Sequence, residues 1–298
     1  MPPAAETLRR IPFAPGDAET IAGFCAANGG IDHARLLLDL TSGAGGVFVI
    51  ADGDGIRLAS TVVDRTRNAA NSANLEMLVV RARIAAPEFI RLVIEPAVAF
   101  ARAGDRRALH VTLPPSLLPA DGIGEALLGA GFAHAYDIFE MTRPRSAAPV
   151  APLDPLPPGW SWTTLDAERV DAAHAALAEM FRDALATNLL PLADFRQAVE
   201  SGAARWRVLQ DGDRIAGLVR AVLHGDRGEL RILGRVPAYR GRGLGPRIVA
   251  EGLRQLQEGG AGDIDLSVEA VNESALDLYV RFGFEIVGRT QVFALTLR

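Results

Sequence analysis

"RVPAYRGRGLGPRIV", residues 235 to 249, sets Gly241, Gly243 and Gly245 among arginines, at the point where an apolar stretch hands over to a helical pattern. Glycine is a poor residue with which to enter a helix, because it loses more backbone freedom on folding than any other. The arrangement makes sense if something must approach the main chain closely. The first-turn amides of a helix have no internal partners, and the helix dipole adds about half a positive charge at that end. Bare glycines open those amides to an anion, and Arg240 and Arg242 add full charges beside them. Pro246 falls in the first turn, where a missing amide costs little. A tight strand-to-helix turn with solvent-facing arginines would explain the glycines alone; the whole combination favours an anion site sized for a diphosphate.

The common nucleotide fingerprints do not fit this stretch. G-x-G-x-x-G fails because Pro246 stands three residues after Gly243, and no acidic residue follows in the expected strand context. A P-loop needs a lysine, and the chain has none: every one of its 31 basic side chains is an arginine. The same absence excludes Schiff-base chemistry on a lysine. A net charge of −5 argues against a nucleic-acid backbone as main partner. Cys25 is the single cysteine and sits on the apolar face of a helical pattern, which fits a packed thiol better than a nucleophile. The five histidines are scattered with no metal-ligand spacing, so no metal site is expected. No apolar run approaches the roughly 20 residues of a membrane span. The first residues, "MPPAAETLRRIPFAPGDAE", lack the apolar core of a secretory signal, so a soluble cytoplasmic protein is expected.

At 298 residues the chain is long enough for two domains. "TRPRSAAPVAPLDPLPPG", residues 142 to 159, carries six prolines and reads as a linker. The expected division is a domain over 1–143, a Pro-rich linker over 144–158 and a domain over 159–298. The halves echo each other. "RRALHVTLPP", "DGIGEALLGAGF" and "AHAYDIFEMTR" read as a strand, a helix closing on Gly131-Phe132, and further strand-like pieces. "DIDLSVEAV", "NESALDLYVRFGF" and "EIVGRTQVFALTLR" repeat that order, with Gly283-Phe284 in the equivalent place. Both Gly-Phe pairs fit a helix that stops at a left-handed glycine. The second half reads β-α-α-β-β-β-α-β-α-β-β, an α/β unit with a mixed sheet flanked by helices, and the first half reads as a second copy.

With "VPAYRGRGLG", a helix, a strand and "NESALDLYVRFGF" in this order, residues 160–298 closely resemble the GNAT (GCN5-related N-acetyltransferase) family. The first half resembles the same fold in layout, giving a tandem arrangement similar to that of mycothiol synthase-like proteins. The resemblance implies two α/β (α+β) domains, each with a mixed, mostly antiparallel central sheet. It also implies that coenzyme A is bound, its pyrophosphate at the R-x-x-G-x-G segment that falls on Arg240, Gly241, Arg242, Gly243, Leu244 and Gly245. The strand residues Gly234, Arg235 and Val236 match the segment whose backbone pairs with the pantetheine arm. Asn272 matches a coenzyme-contacting position and is equally an ordinary helix N-cap. Tyr279 matches the tyrosine that protonates the departing thiolate, although it also lies on an apolar helix stripe.

For the general base, Glu229 opens the strand leading to the glycines. Simple alternation puts it on one face with Arg231, Leu233 and Arg235. Pairing with one of those arginines is its other reading, and Glu269 is the reserve candidate. The implied activity is acetyl-CoA-dependent N-acetyl transfer to a primary amine of a small molecule or protein, by the second copy. The alternative is a coenzyme A-binding regulatory or scaffold module without turnover. A monomer or homodimer is expected. The first copy has no glycine cluster: "NLEMLVVRARI" runs into "AAPEFIRLVIEPAVAFARAG", and Glu88 near that helix start would repel a phosphate. It is expected not to hold coenzyme A in the family's manner.

Overall fold

A computed structural model describes residues 8–11, 15–29, 46–52, 55–65, 71–80, 84–114, 122–182, 184 and 189–297. The first half supplies β1 (Arg9–Ile11), α1 (Ala18–Gly29), β2 (Gly46–Asp52), β3 (Gly55–Arg65) and β4 (Ser72–Val80). Next, α2 (Ala86–Phe89) passes through a π-helical stretch, Ile90–Ile94, into α3 (Glu95–Ala103), followed by β5 (Ala108–Leu113), α4 (Ile123–Gly129) and β6 (Ala133–Arg143). The second half continues with β7 (Trp160–Thr164), α5 (Val170–Met180), α6 (Leu192–Glu200), β8 (Arg205–Asp211), β9 (Arg214–His224) and β10 (Arg227–Arg235). It ends with α7 (Leu244–Glu258), β11 (Ile264–Glu269), α8 (Glu273–Arg281) and β12 (Glu285–Thr296).

Two compact units result, one of Met1–Asp137 with Arg289–Arg298, the other of Ile138–Gly288. In the first, β1 to β4 form antiparallel neighbours, β4 runs parallel to β5, and Gln291–Thr296 of β12 lies antiparallel on β5. In the second, β7 to β10 are antiparallel neighbours, β10 runs parallel to β11, and Ile138–Arg143 of β6 lies antiparallel on β11. Each unit therefore closes its sheet with the last strand of the other repeat. The division falls inside β6 and not in the Pro-rich stretch. That stretch belongs to the second unit: Val150 and Leu156 pack on its core, and Arg247 Nη1 donates to the Asp154 carbonyl at 2.6 Å. The closing segments expected to be two strand pieces each are single strands, β6 and β12.

The helix stops follow the sequence closely. Gly131 (φ +90°) and Gly283 (φ +81°) are both left-handed. After each, a buried phenylalanine returns its amide to the helix, Phe132 to the Leu127 carbonyl at 3.0 Å and Phe284 to Tyr279 at 3.1 Å, the bond pattern that satisfies orphan carbonyls at a helix end. In the second unit α7 lies on the sheet through its apolar stripe, with Ile248, Val249, Leu253 and Leu256 all buried. It comes close because Gly252 has no side chain; a Cβ there would stand 2.7 Å from Leu230 Cδ2. The opposite face of the sheet is covered by α5 and α6, where Leu177 and Phe195 pack with Trp206, Val208 and Leu218.

Candidate functional site

The parallel ladder between β10 and β11 is short. Gly228 pairs with Ile264, Glu229 with Asp265 and Leu230 with Leu266. One residue later the pairing of β10 with β9 slips, Leu230 opposing Ala221 and Ile232 opposing Arg220, so Arg231 is the extra residue of a β-bulge. From there β10 stays paired to β9 as far as Arg235, while its other edge opens onto a cleft of about 830 Å³ in the second unit.

The bulge also reverses which face each later side chain occupies. Leu230 points toward α7, Ile232 joins Leu177 and Phe195 on the other side, and a Cβ on Gly234 would meet Met180 Sδ at 2.7 Å. Arg235 returns to the α7 side, with Nη1 3.9 Å from where a Cβ on Gly245 would stand. The single face expected for Glu229, Leu233 and Arg235 is therefore split, because one inserted residue inverts an alternation of period two.

At the start of α7, Gly241 (φ +78°) and Gly243 (φ +68°) are left-handed, and a Cβ on either would meet nothing within 4 Å. Gly243 is the N-cap and supplies no side-chain hydrogen bond, so the first-turn amides of α7 keep their donors for an outside acceptor. The turn is braced from beneath. Arg242 lies over the Tyr239 ring at 5.1 Å, and the Tyr239 hydroxyl donates to Asp211 at 3.3 Å. Left-handed glycines in open space, an uncapped helix start and neighbouring guanidinium groups fit a diphosphate.

Of the expected site residues, Gly234, Arg235, Arg240, Gly245, Asn272 and Tyr279 line this one cleft. Gly241, Arg242 and Gly243 form the exposed turn between Arg240 and α7. Val236 and Leu244 are core side chains, 7 % and 3 % exposed, and the Val236 amide is spent on the Ala216 carbonyl at 3.0 Å. Asn272 caps α8, accepting from the Ala275 amide at 3.3 Å, and also lines the cleft. Tyr279 is 8 % exposed, with its ring edge-on to Phe284 at 5.9 Å. Burial pushes its phenol up to about 12.

Glu229 does not line the cleft. Its carboxylate accepts from Arg231 Nε at 2.7 Å and faces His224 Nε2 at 3.3 Å. Glu269, the reserve, does line it. Met180, Phe181 and Arg231 are cleft residues that the sequence did not announce. For Arg231 the missing signal is the bulge, which has no composition mark here. Among the described residues no group of three or more His, Cys, Asp or Glu could hold a metal ion, and no helix is long and apolar enough to cross a membrane.

Residues 170–284 match the acetyltransferase (GNAT) family. The chain is similar to mycothiol acetyltransferases: 41% identical over 86 residues to that of Corynebacterium efficiens, covering 28% of this chain and 29% of the relative. It is 30% identical to that of Catenulispora acidiphila over 52% of each, and 27% identical to that of Kocuria rhizophila over 84% of this chain and 85% of the relative. In the first two alignments the chain spans only about a third to a half of the relative's length. Among solved structures, a GCN5-related N-acetyltransferase from Sphaerobacter thermophilus superposes with TM-score 0.72 at 17% identity, covering 99% of this chain and 97% of that one. A tandem GNAT protein from the clavulanic acid biosynthesis pathway superposes equally, TM-score 0.72 at 17% identity, over 97% and 98%. At such identities the likeness shows the fold alone.

Proposed function

From the GNAT match over residues 170–284, we propose that the protein is an acetyl-CoA-dependent N-acetyltransferase. The second unit is the active one, and the acceptor is a primary amine on a small molecule. The observation that carries this reading is the left-handed glycine turn at an uncapped helix start, opening beside the same cleft as a buried tyrosine. The amides of Gly243 to Gly245 with Arg240 and Arg235 hold the coenzyme's diphosphate. The free edge of β10 at Gly234 and Arg235 takes the pantetheine arm as one more strand. When bound, the coenzyme supplies an acetyl thioester.

The protein's own part is to orient the reactants and move two protons. The amine nitrogen, once deprotonated, forms a bond to the acyl carbon as the carbon–sulfur bond breaks. Its proton passes through water to Glu269, the candidate base that lines the cleft, and the departing thiolate takes the Tyr279 proton. A phenol held protonated up to about 12 keeps that proton available throughout the neutral range.

Acetyl-CoA titrated calorimetrically into the protein should bind, and amines should release free thiol. Glu269→Gln should lower kcat by about 100-fold, with acetyl-CoA affinity unchanged. If Glu229→Gln gives that loss and Glu269→Gln does not, the base is Glu229. Binding without thiol release from any amine would favour a coenzyme-binding module, and no binding at millimolar acetyl-CoA would end the proposal. The similarity to mycothiol acetyltransferases supports the small-molecule acceptor, and a cytoplasmic setting accords with such a substrate.

A further inference from the structure

Three arginines line the cleft. Arg235 and Arg240 stand by the start of α7 and are accounted for by a diphosphate. Arg231 is not. It lies four residues before Arg235, about 13 Å along an extended strand, which is too far to serve the same group. As the extra residue of the bulge it is turned out of the regular pleat, and bulges beside clefts commonly re-aim a side chain in this way. Its Nε donates to Glu229 at 2.7 Å, and this is its single polar partner among the described residues. The contact fixes the plane of the guanidinium and leaves both Nη groups uncommitted. A planar guanidinium edge of this kind matches a carboxylate with two parallel hydrogen bonds.

We propose that Arg231 binds a free carboxylate on the acceptor, and that the acceptor is an α-amino acid. The proposal rests on the reading that the glycine end of the cleft takes acetyl-CoA. An α-amino acid carries its amine one carbon from its carboxylate. Docking that carboxylate on Arg231 therefore holds the amine one carbon away, inside the cleft. Glu269, on the facing strand β11, adds a negative charge that suits an ammonium group.

The test uses the full chain and paired acceptors that differ only in the carboxylate: phenylalanine against phenethylamine, tyrosine against tyramine, leucine against isopentylamine. Acetyl-CoA binding is measured first by calorimetry, then thiol release for each acceptor. The wild type should favour the amino acid of each pair by about tenfold or more in kcat/KM, the size of a charge-assisted hydrogen bond. Arg231→Gln should erase that preference through the acceptor KM while acetyl-CoA affinity stays at the wild-type value, which also reports that the variant is folded. Arg231→Lys should keep part of the preference. Equal use of the decarboxylated amines, a preference that survives in Arg231→Gln, or bound acetyl-CoA with no amino acid acetylated would each overturn the inference. Failure of acetyl-CoA to bind would instead overturn the coenzyme reading beneath it.

Discussion

In the first unit β4 and β5 run parallel from Ser72 and Ala108 to Glu76 and Thr112, and the pairing of β4 with β3 then slips between Met77 and Val79. In the second unit β10 and β11 do the same, and β10 slips at Arg231. Both repeats thus end a short parallel ladder next to a bulge. They part at the helix that follows. In the first unit α2 is capped by Ala85 in extended conformation, Pro87 removes an amide from the first turn, and Glu88 places a negative charge there. In the second, the cap is a left-handed Gly243 with two arginines close by. The strand layout belongs to the fold and appears twice. The anion binding proposed for the second unit would be a local addition, made by a few residues at one helix start.

That contrast can be broken by moving the features of one repeat into the other. The largest effect is expected for Gly243→Glu, which imitates the first unit inside the second. A residue with a Cβ in left-handed conformation costs about 1–2 kcal/mol, and the new carboxylate repels the diphosphate. Acetyl-CoA affinity should fall by about 100-fold or more; unchanged affinity by calorimetry would remove the turn from the site.

Next comes Tyr279→Phe, which should leave affinity intact and lower kcat by about 100-fold. Because the phenol is raised to about 12, the wild-type kcat profile should show no alkaline fall from this group at pH about 10, where an ordinary tyrosine titrates. A fall at that pH, absent in the variant, would refute the environment described for it. The same shift means that the folded chain holds the phenolic proton more tightly than the unfolded chain. Stability should therefore decline as pH rises from about 10 toward the folded value, and less so in Tyr279→Phe. The smallest effect belongs to the first unit: Glu88→Gln should leave coenzyme stoichiometry at one per chain. A second binding event would erase the difference between the repeats.

Much of this architecture is legible in the sequence. Gly131 and Gly283 stopped their helices where the Gly-Phe pairs said they would, since a left-handed glycine followed by an apolar residue is a local signal. The glycine turn is legible for the same reason, being defined by its immediate neighbours, whereas Tyr279 is singled out by the resemblance and by nothing local to it. What escaped was non-local. Arg231 looks like any alternating strand residue, and only the register against β9 shows that it is inserted. Once inserted, it sends Arg235 to the opposite face from Glu229, which undid the expected cluster. The exchange of β6 and β12 was equally invisible, because the choice of β11 or β5 as partner leaves no trace in the composition of either strand. The prolines of residues 144–158 were visible, whereas the seating of Val150 and Leu156 on the core was not.

The exchange bears on how this chain could have arisen and how it can be cut. A gene fragment starting at 159 would encode the glycine turn and Tyr279 yet leave β11 bare along the side that Ile138–Arg143 covers, and bare strand edges recruit other chains. The smallest piece that carries a whole second sheet starts some twenty residues earlier and ends at Gly288. Once two duplicated repeats had traded their last strands, neither could be deleted without spoiling its sibling. A repeat without the glycine cluster can be retained for that service alone.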